Sequence, residues 1–147
     1  MSRLAVKFLV VGFTVLVACS SRNSPEYDLA QFTSDLREKE IALELTADAN
    51  SLILGRVGTV VSWGDIQIGA FEYPDRPAAE AAAALIADDG SSVEGITEGP
   101  ISWPATPHFF RKGRLLVLYV GDNRPTADLL KVVLGPQIAG GHGVPDE

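Results

Sequence analysis

Leu115–Val120, LLVLYV, is an unbroken apolar run with β-branched and aromatic members, entered by Arg114 and left by Gly121-Asp122. It is too short to cross a membrane, and it has no polar alternation to offer water. It therefore reads as a strand buried on both faces, in mid-sheet. His108-Phe109-Phe110 and the turn-like Arg111-Lys112-Gly113 precede it, which predicts a hairpin, and a helical pattern follows.

A chain of 147 residues has room for one domain. Residues 1–18 read as a removable signal, 19–24 as a tether, 25–136 as the folded domain and 137–147 as a flexible tail. A domain of that size buries roughly two-thirds of its unfolded surface without covalent staples. None is available, because Cys19 is the sole cysteine. The full chain has 12 basic and 19 acidic residues, a formal charge of −7. Residues 1–18 carry Arg3 and Lys7 and no acid, so the remainder holds ten basic against 19 acidic side chains, or −9. Such a body repels a polyanion, which argues against nucleic acid as a partner, and anionic headgroups do not attract it.

The first residues have the three parts of an export signal. Arg3 and Lys7 are positive, Phe8–Ala18 is apolar but shorter than the roughly 20 residues of a spanning helix, and Leu16-Val17-Ala18-Cys19 closes the segment. This end resembles bacterial lipoprotein precursors, whose lipobox is an aliphatic residue, a small or aliphatic one, a small one and then cysteine. The resemblance implies that the Cys19 thiol takes a diacylglyceryl group, that the chain is cut before Cys19, and that further acylation fixes it to a membrane. Several acyl chains are needed because each buried methylene contributes only about 0.8 kcal/mol. Ser20 then stands second in the mature chain. An aspartate there favours inner-membrane retention in Gram-negative lipoproteins, so Ser20 permits outer-membrane sorting.

Along the body, Ser24-Pro25-Glu26 reads as a helix start with Ser24 as cap, and Leu29, Phe32 and Leu36 make one apolar stripe ending near Arg37–Lys39. Ile41, Leu43 and Leu45 alternate with Ala42 and Glu44 and favour a strand with one wet face. Val57–Trp63 and Ile66–Tyr73 flank Gly64-Asp65 as a hairpin, with Gly69 as a candidate bulge. Asp75 caps an alanine-rich helix, AAEAAAALIA, whose small side chains let it lie flat on a sheet with Leu85 and Ile86 as anchors. Residues 88–92 form a turn and 93–100 a polar loop. Ile101–Trp103 is a short strand stopped by Pro104 and Pro107. Asp122–Pro125 opens a last helix with a buried stripe of Leu129, Leu130, Val133 and Leu134, stopped by Gly135-Pro136. Strands outnumber helices and come in hairpins. The expected class is α+β: one domain with a mostly antiparallel sheet covered on one face by about three helices.

The same region resembles a block found in small uncharacterised bacterial proteins, some of them lipoproteins: FEYPD, an Ala-rich helix, DGSS, PHF-x-RxGRL-x-VLYVGD and LGPQ-x-AG. Here these are Phe71–Asp75, Asp89–Ser92, Pro107–Asp122 and Leu134–Gly140. The resemblance implies a shared fold and brings no activity with it.

The densest collection of chemistry is Trp103, Pro104, Pro107, His108, Phe109, Phe110 and Arg111. Trp103, His108, Phe110 and Arg111 are the candidate ligand-binding set, since Trp and Arg are frequent anchors for rings and carboxylates. The competing reading puts the aromatics in the core and lets His108 bond locally. His142 lies in a Gly-rich tail with no second ligand in spacing, so no metal site is expected. Asp88-Asp89 and Asp146-Glu147 read as solvated pairs, and Tyr119 as core. Ser102, His108 and Asp122 have no nucleophile motif around them, and Gly140–Gly143 lacks the Lys-Ser/Thr pair and helix of a phosphate loop. No cofactor is expected. The leading functional expectation is a non-enzymatic lipoprotein, held through acylated Cys19 outside the cytoplasmic membrane and serving an envelope protein partner or a scaffold. A small-ligand module using the Trp103/His108/Phe110 region is the alternative, and a hydrolase is third.

Overall fold

The computed structural model describes residues 26–51 and 54–141, so the readings on the signal, Cys19, Ser24-Pro25 and His142 lie outside them. The elements run α1 (Leu29–Glu38), β1 (Glu44–Ser51), β2 (Arg56–Trp63), β3 (Ile66–Glu72), α2 (Arg76–Ala84), β4 (Pro107–Lys112), β5 (Leu115–Val120), α3 (Arg124–Leu134) and β6 (Ala139–Gly140). All pairings are antiparallel in one six-stranded sheet of order β1-β2-β3-β5-β4-β6. This is an α+β arrangement in a single domain. β5 lies in mid-sheet between β3 and β4, and Leu115–Tyr119 are all buried.

The helices divide between the two faces, where the sequence suggested that one face carries them all. Val61, Ile68, Phe110, Val117 and Tyr119 pack with Phe32 and Leu36 of α1 and with Leu130, Val133 and Leu134 of α3. Phe71, Phe109, Leu116 and Leu118 point the other way, onto Ala79 of α2 and onto Ile86, Val93 and Trp103 beyond it. The cause is β5 itself: apolar side chains alternate to both faces, and each face must be shielded from water.

The β2–β3 and β4–β5 hairpins each turn on a glycine in the left-handed region, Gly64 and Gly113, each at φ 55°. No bulge occurs at Gly69, because β2 and β3 pair without a break from Thr59↔Ala70 to Trp63↔Ile66. Ile66, Ile68 and Ala70 face one way and Phe71 and Tyr73 the other simply because strand side chains alternate. Gly69 and Gly58 serve instead as the bed of the Phe71 ring. A Cβ on Gly58 would fall 2.5 Å from that ring, and one on Gly69 3.0 Å from it.

Several boundaries differ from the sequence reading. α1 begins at Leu29 and is capped by Asp28, whose carboxylate accepts the Gln31 N–H at 2.9 Å. Ile41 and Leu43 pack on the core before the strand, and β1 runs later, through Ser51. Leu85 is exposed at the end of α2, so of the two expected anchors only Ile86 is buried, beside Ala79 of the helix itself. Residues 101–103 form no strand: Ile101 N–H bonds Ser91 C=O, Trp103 Nε1 donates to Gly90 C=O, and Pro104 and Pro107 cannot donate. The tail from 137 is partly structured. Gly135, at φ 91°, turns the chain back, and Ile138 N–H then reaches Phe109 C=O at 2.8 Å while Gly141 N–H reaches Pro107 C=O at 2.9 Å. The outer side of β4 supplies those acceptors, so residues 137–141 complete the sheet edge.

Candidate functional site

The four candidate ligand-binding residues do not share one site. Alternation along β4 sends His108 and Phe110 to the α1/α3 face, while Arg111 and the Trp103 side chain lie on the α2 face. Phe110 is fully buried. Trp103 stands edge-on to Phe109, with centroids 6.2 Å apart. Arg111 reaches Glu80 at 3.7 Å and the Gly113 carbonyl at 3.4 Å. The aromatics are therefore core, as the competing reading had it, and the ligand-pocket alternative loses the cluster it rested on.

His108 is 7% exposed and stacks on Tyr119 with ring centroids 5.6 Å apart. Its Nδ1 lies 2.8 Å from Gln137 Oε1 and its Nε2 lies 3.0 Å from the Gly121 carbonyl. Gln137 Nε2 already donates to Gly141 C=O at 3.0 Å, which fixes the amide with its oxygen toward the histidine. Each ring nitrogen thus faces an acceptor, and a neutral ring, with a single N–H, donates to one at a time. The histidine works as a strut between β4, the end of β5 and the C-terminal segment. Neither nitrogen bonds a serine. Asp122 instead accepts from the hydroxyl and N–H of Thr106, which hold its carboxyl below the usual range.

A second cluster, which the sequence did not announce, surrounds the point where the chain enters the domain. Glu26 accepts the Arg76 N–H at 2.7 Å and so closes the start of α2. Asp28 caps α1, and Glu72 accepts the Leu29 N–H at 2.8 Å. Both carboxylates sit where the helix dipole is positive. Between them Tyr27 lies across the β4–β5 turn, its carbonyl taking the Arg114 N–H at 3.1 Å. A Cβ on Gly113 would fall 2.7 Å from the Tyr27 backbone N and O, so only glycine admits this crossing. Arg114 reaches Asp28 at 3.4 Å and Glu72 at 3.9 Å, and donates to the Tyr73 carbonyl. Lys112 Nζ sits 4.2 Å over the Tyr27 ring and donates to Val133 C=O at the end of α3.

The electrostatics follow from those contacts. The Gln31 N–H, then Arg114, holds the Asp28 carboxyl below its ordinary value. Burial, reinforced by the bond to Asp35, pushes the Tyr27 phenol upward, so it stays neutral and donates at 2.7 Å. Burial opposes ionisation of Asp35, yet bonds from Gln31 and Tyr27 keep its carboxyl low. The cluster fastens the incoming chain to three elements at once. The sequence signal was slight: a glycine at a hairpin tip with basic residues on either side.

No protein family, no curated protein and no solved structure matches this chain. The lipobox and the shared block are thus supported only by the residues that carry them.

Proposed function

We propose that this chain is a lipoprotein of the bacterial type, anchored through acylated Cys19 outside the cytoplasmic membrane, and that its domain is a non-enzymatic interaction or scaffolding module. The observation that carries the reading is Leu16-Val17-Ala18-Cys19 at the end of an apolar stretch too short to span. The junction geometry supports it. Six residues separate Cys19 from Glu26, and the seven chain steps reach at most about 25 Å. At Glu26–Asp28 the chain is already bound to α1, α2 and the central hairpin. A tether this short, joined this firmly, holds the domain close to the surface that carries the lipid.

The test is Cys19→Ala in a bacterial host. The wild-type chain is expected in the membrane fraction with a diacylglyceryl mass on its N-terminal peptide. The variant is expected in the soluble extracytoplasmic fraction with an unchanged circular dichroism spectrum. A variant that remains with the membrane, beside a wild type whose cysteine carries no lipid, would sink the anchor.

A further inference from the structure

The layer over the second face of the sheet has an unusual charge distribution. From Arg76 to Arg111 the sequence contains no lysine or arginine, while Glu80, Asp88, Asp89, Glu94 and Glu98 all fall between them. This stretch is α2 and the loop that follows it. Within it, an open groove of about 490 Å³ runs between the end of α2 and residues 92–100. Its floor is small or apolar, with Ala84, Ala87 and Val93, and Glu94 and Glu98 supply its charge. The floor is firm: Ala87 N–H bonds Ser92 C=O at 2.9 Å, Glu94 N–H bonds Leu85 C=O at 2.8 Å, and Ile86 bridges Val93.

Two further features point to the chemistry of an occupant. Leu85 lines the groove and Ile96 lies on the same loop, and each is 39% exposed, so apolar surface is offered outward. The C-terminal end of α2 also opens here with no basic residue in its last turn. A helix end of this kind carries partial negative charge and favours a cation nearby. An apolar floor, a helix end without a basic side chain and a carboxylate rim are complementary to one kind of segment.

We propose that this groove docks a cationic, apolar segment of a protein partner, with an aliphatic side chain against Leu85 and lysine or arginine at the α2 end and at Glu94 and Glu98. The inference rests on the reading of the domain as an interaction module and names the chemistry of what it binds. The domain's overall negative charge steers such a partner toward it and makes the encounter salt-sensitive.

The probe is a short fluorescent peptide of alternating leucine and lysine pairs, titrated into the full chain held in nanodiscs of zwitterionic lipid, with empty nanodiscs as blank. A peptide with glutamate in place of lysine has the same leucine positions. The expected result is saturable binding of the Leu/Lys peptide and none of the Leu/Glu peptide. Glu94→Lys combined with Glu98→Lys, both exposed positions, weakens it about tenfold or more. Leu85→Ser weakens it as well. Equal binding to wild type and to these variants, equal binding of both peptides, or no binding above the blank overturns the proposal. So does a dimer that dissociates on Leu85→Ser, since a second copy then fills the groove. None of these outcomes alters the fate of Cys19→Ala, which tests the anchor alone.

Discussion

Gly113 and Gly64 form a natural pair for measuring how firmly the incoming chain is held. Both open a two-residue hairpin turn at φ 55°. An alanine at either position must adopt the left-handed conformation, at a cost of roughly 1–2 kcal/mol. Around Gly64 nothing lies within 4 Å of the added Cβ, so Gly64→Ala should cost that and no more. Around Gly113 the Cβ falls 2.7 Å from the backbone of Tyr27, and the chain must lift away. Lifting it breaks the Arg114–Tyr27 main-chain bond, about 1 kcal/mol, and the Lys112–Tyr27 ring contact, about 0.5–1 kcal/mol. The half-exposed Arg114–Asp28 pair adds little after solvent screening. Gly113→Ala should therefore cost about 2 kcal/mol more than Gly64→Ala. Urea unfolding of the purified chain, compared at equal slope, reads the difference. Limited proteolysis before Leu29 should accelerate in Gly113→Ala alone. Equal destabilisation of the two variants, with equal protection of residues 26–28, would refute the crossing as a source of stability.

Three other outcomes follow from the packing. Phe109 and Phe110 are both fully buried but on opposite faces, so each alanine variant should lose about 3–5 kcal/mol in denaturant. Being in separate cores, the two losses should show little pairwise coupling beyond their shared backbone. Asp28 has a folded-state pKa below its unfolded value of about 3.9. Its contribution is therefore complete above that value and is lost as pH falls through the lower, folded one. Asp28→Ala should cost about 1 kcal/mol at neutral pH, and the difference from wild type should shrink toward pH 2 in parallel melts. His108→Ala leaves the Gln137 amide oxygen without its partner, so amide exchange at Ile138 and Gly141 should quicken while exchange in β5 is unchanged.

The central strand and both hairpins were legible because each is written in local chemistry: a continuous apolar run, and glycine in a two-residue turn between apolar stretches. The cap at Asp75 and a helix start within Asp122–Pro125 were legible for the same reason, since the Asp75 and Asn123 side chains each accept an N–H only three residues on. What the sequence hid was long-range. The split of the helices between faces depends on where chain connections cross the sheet, which composition does not encode. Ser24-Pro25 reads as the helix start in sequence because Gly113, against which Tyr27 lies, is far away along the chain. Trp103, His108, Phe110 and Arg111 are neighbours in the chain, yet strand alternation separates them. Residues 137–141 looked loose because their partners, the open flank of β4 and the Asp88 carbonyl, are distant in sequence.

The crossing at Tyr27 also determines how the domain responds to a pull from its N-terminal side. The first restraints met are single bonds standing one behind another: Glu26 on Arg76, Tyr27 on Arg114, and Leu29 on Glu72. Bonds arranged in series fail one at a time under a small force, as a zip opens. The ladder between β4 and β5, by contrast, shares a load among many bonds at once. Tension arriving along the tether would strip Glu26–Asp28 and then begin to unwind α1 from its capped end, leaving the six strands paired. On release, Gly113 still leaves room for the Tyr27 backbone to lie against the turn. The entry segment is thus the part that yields first under such a pull, ahead of the sheet.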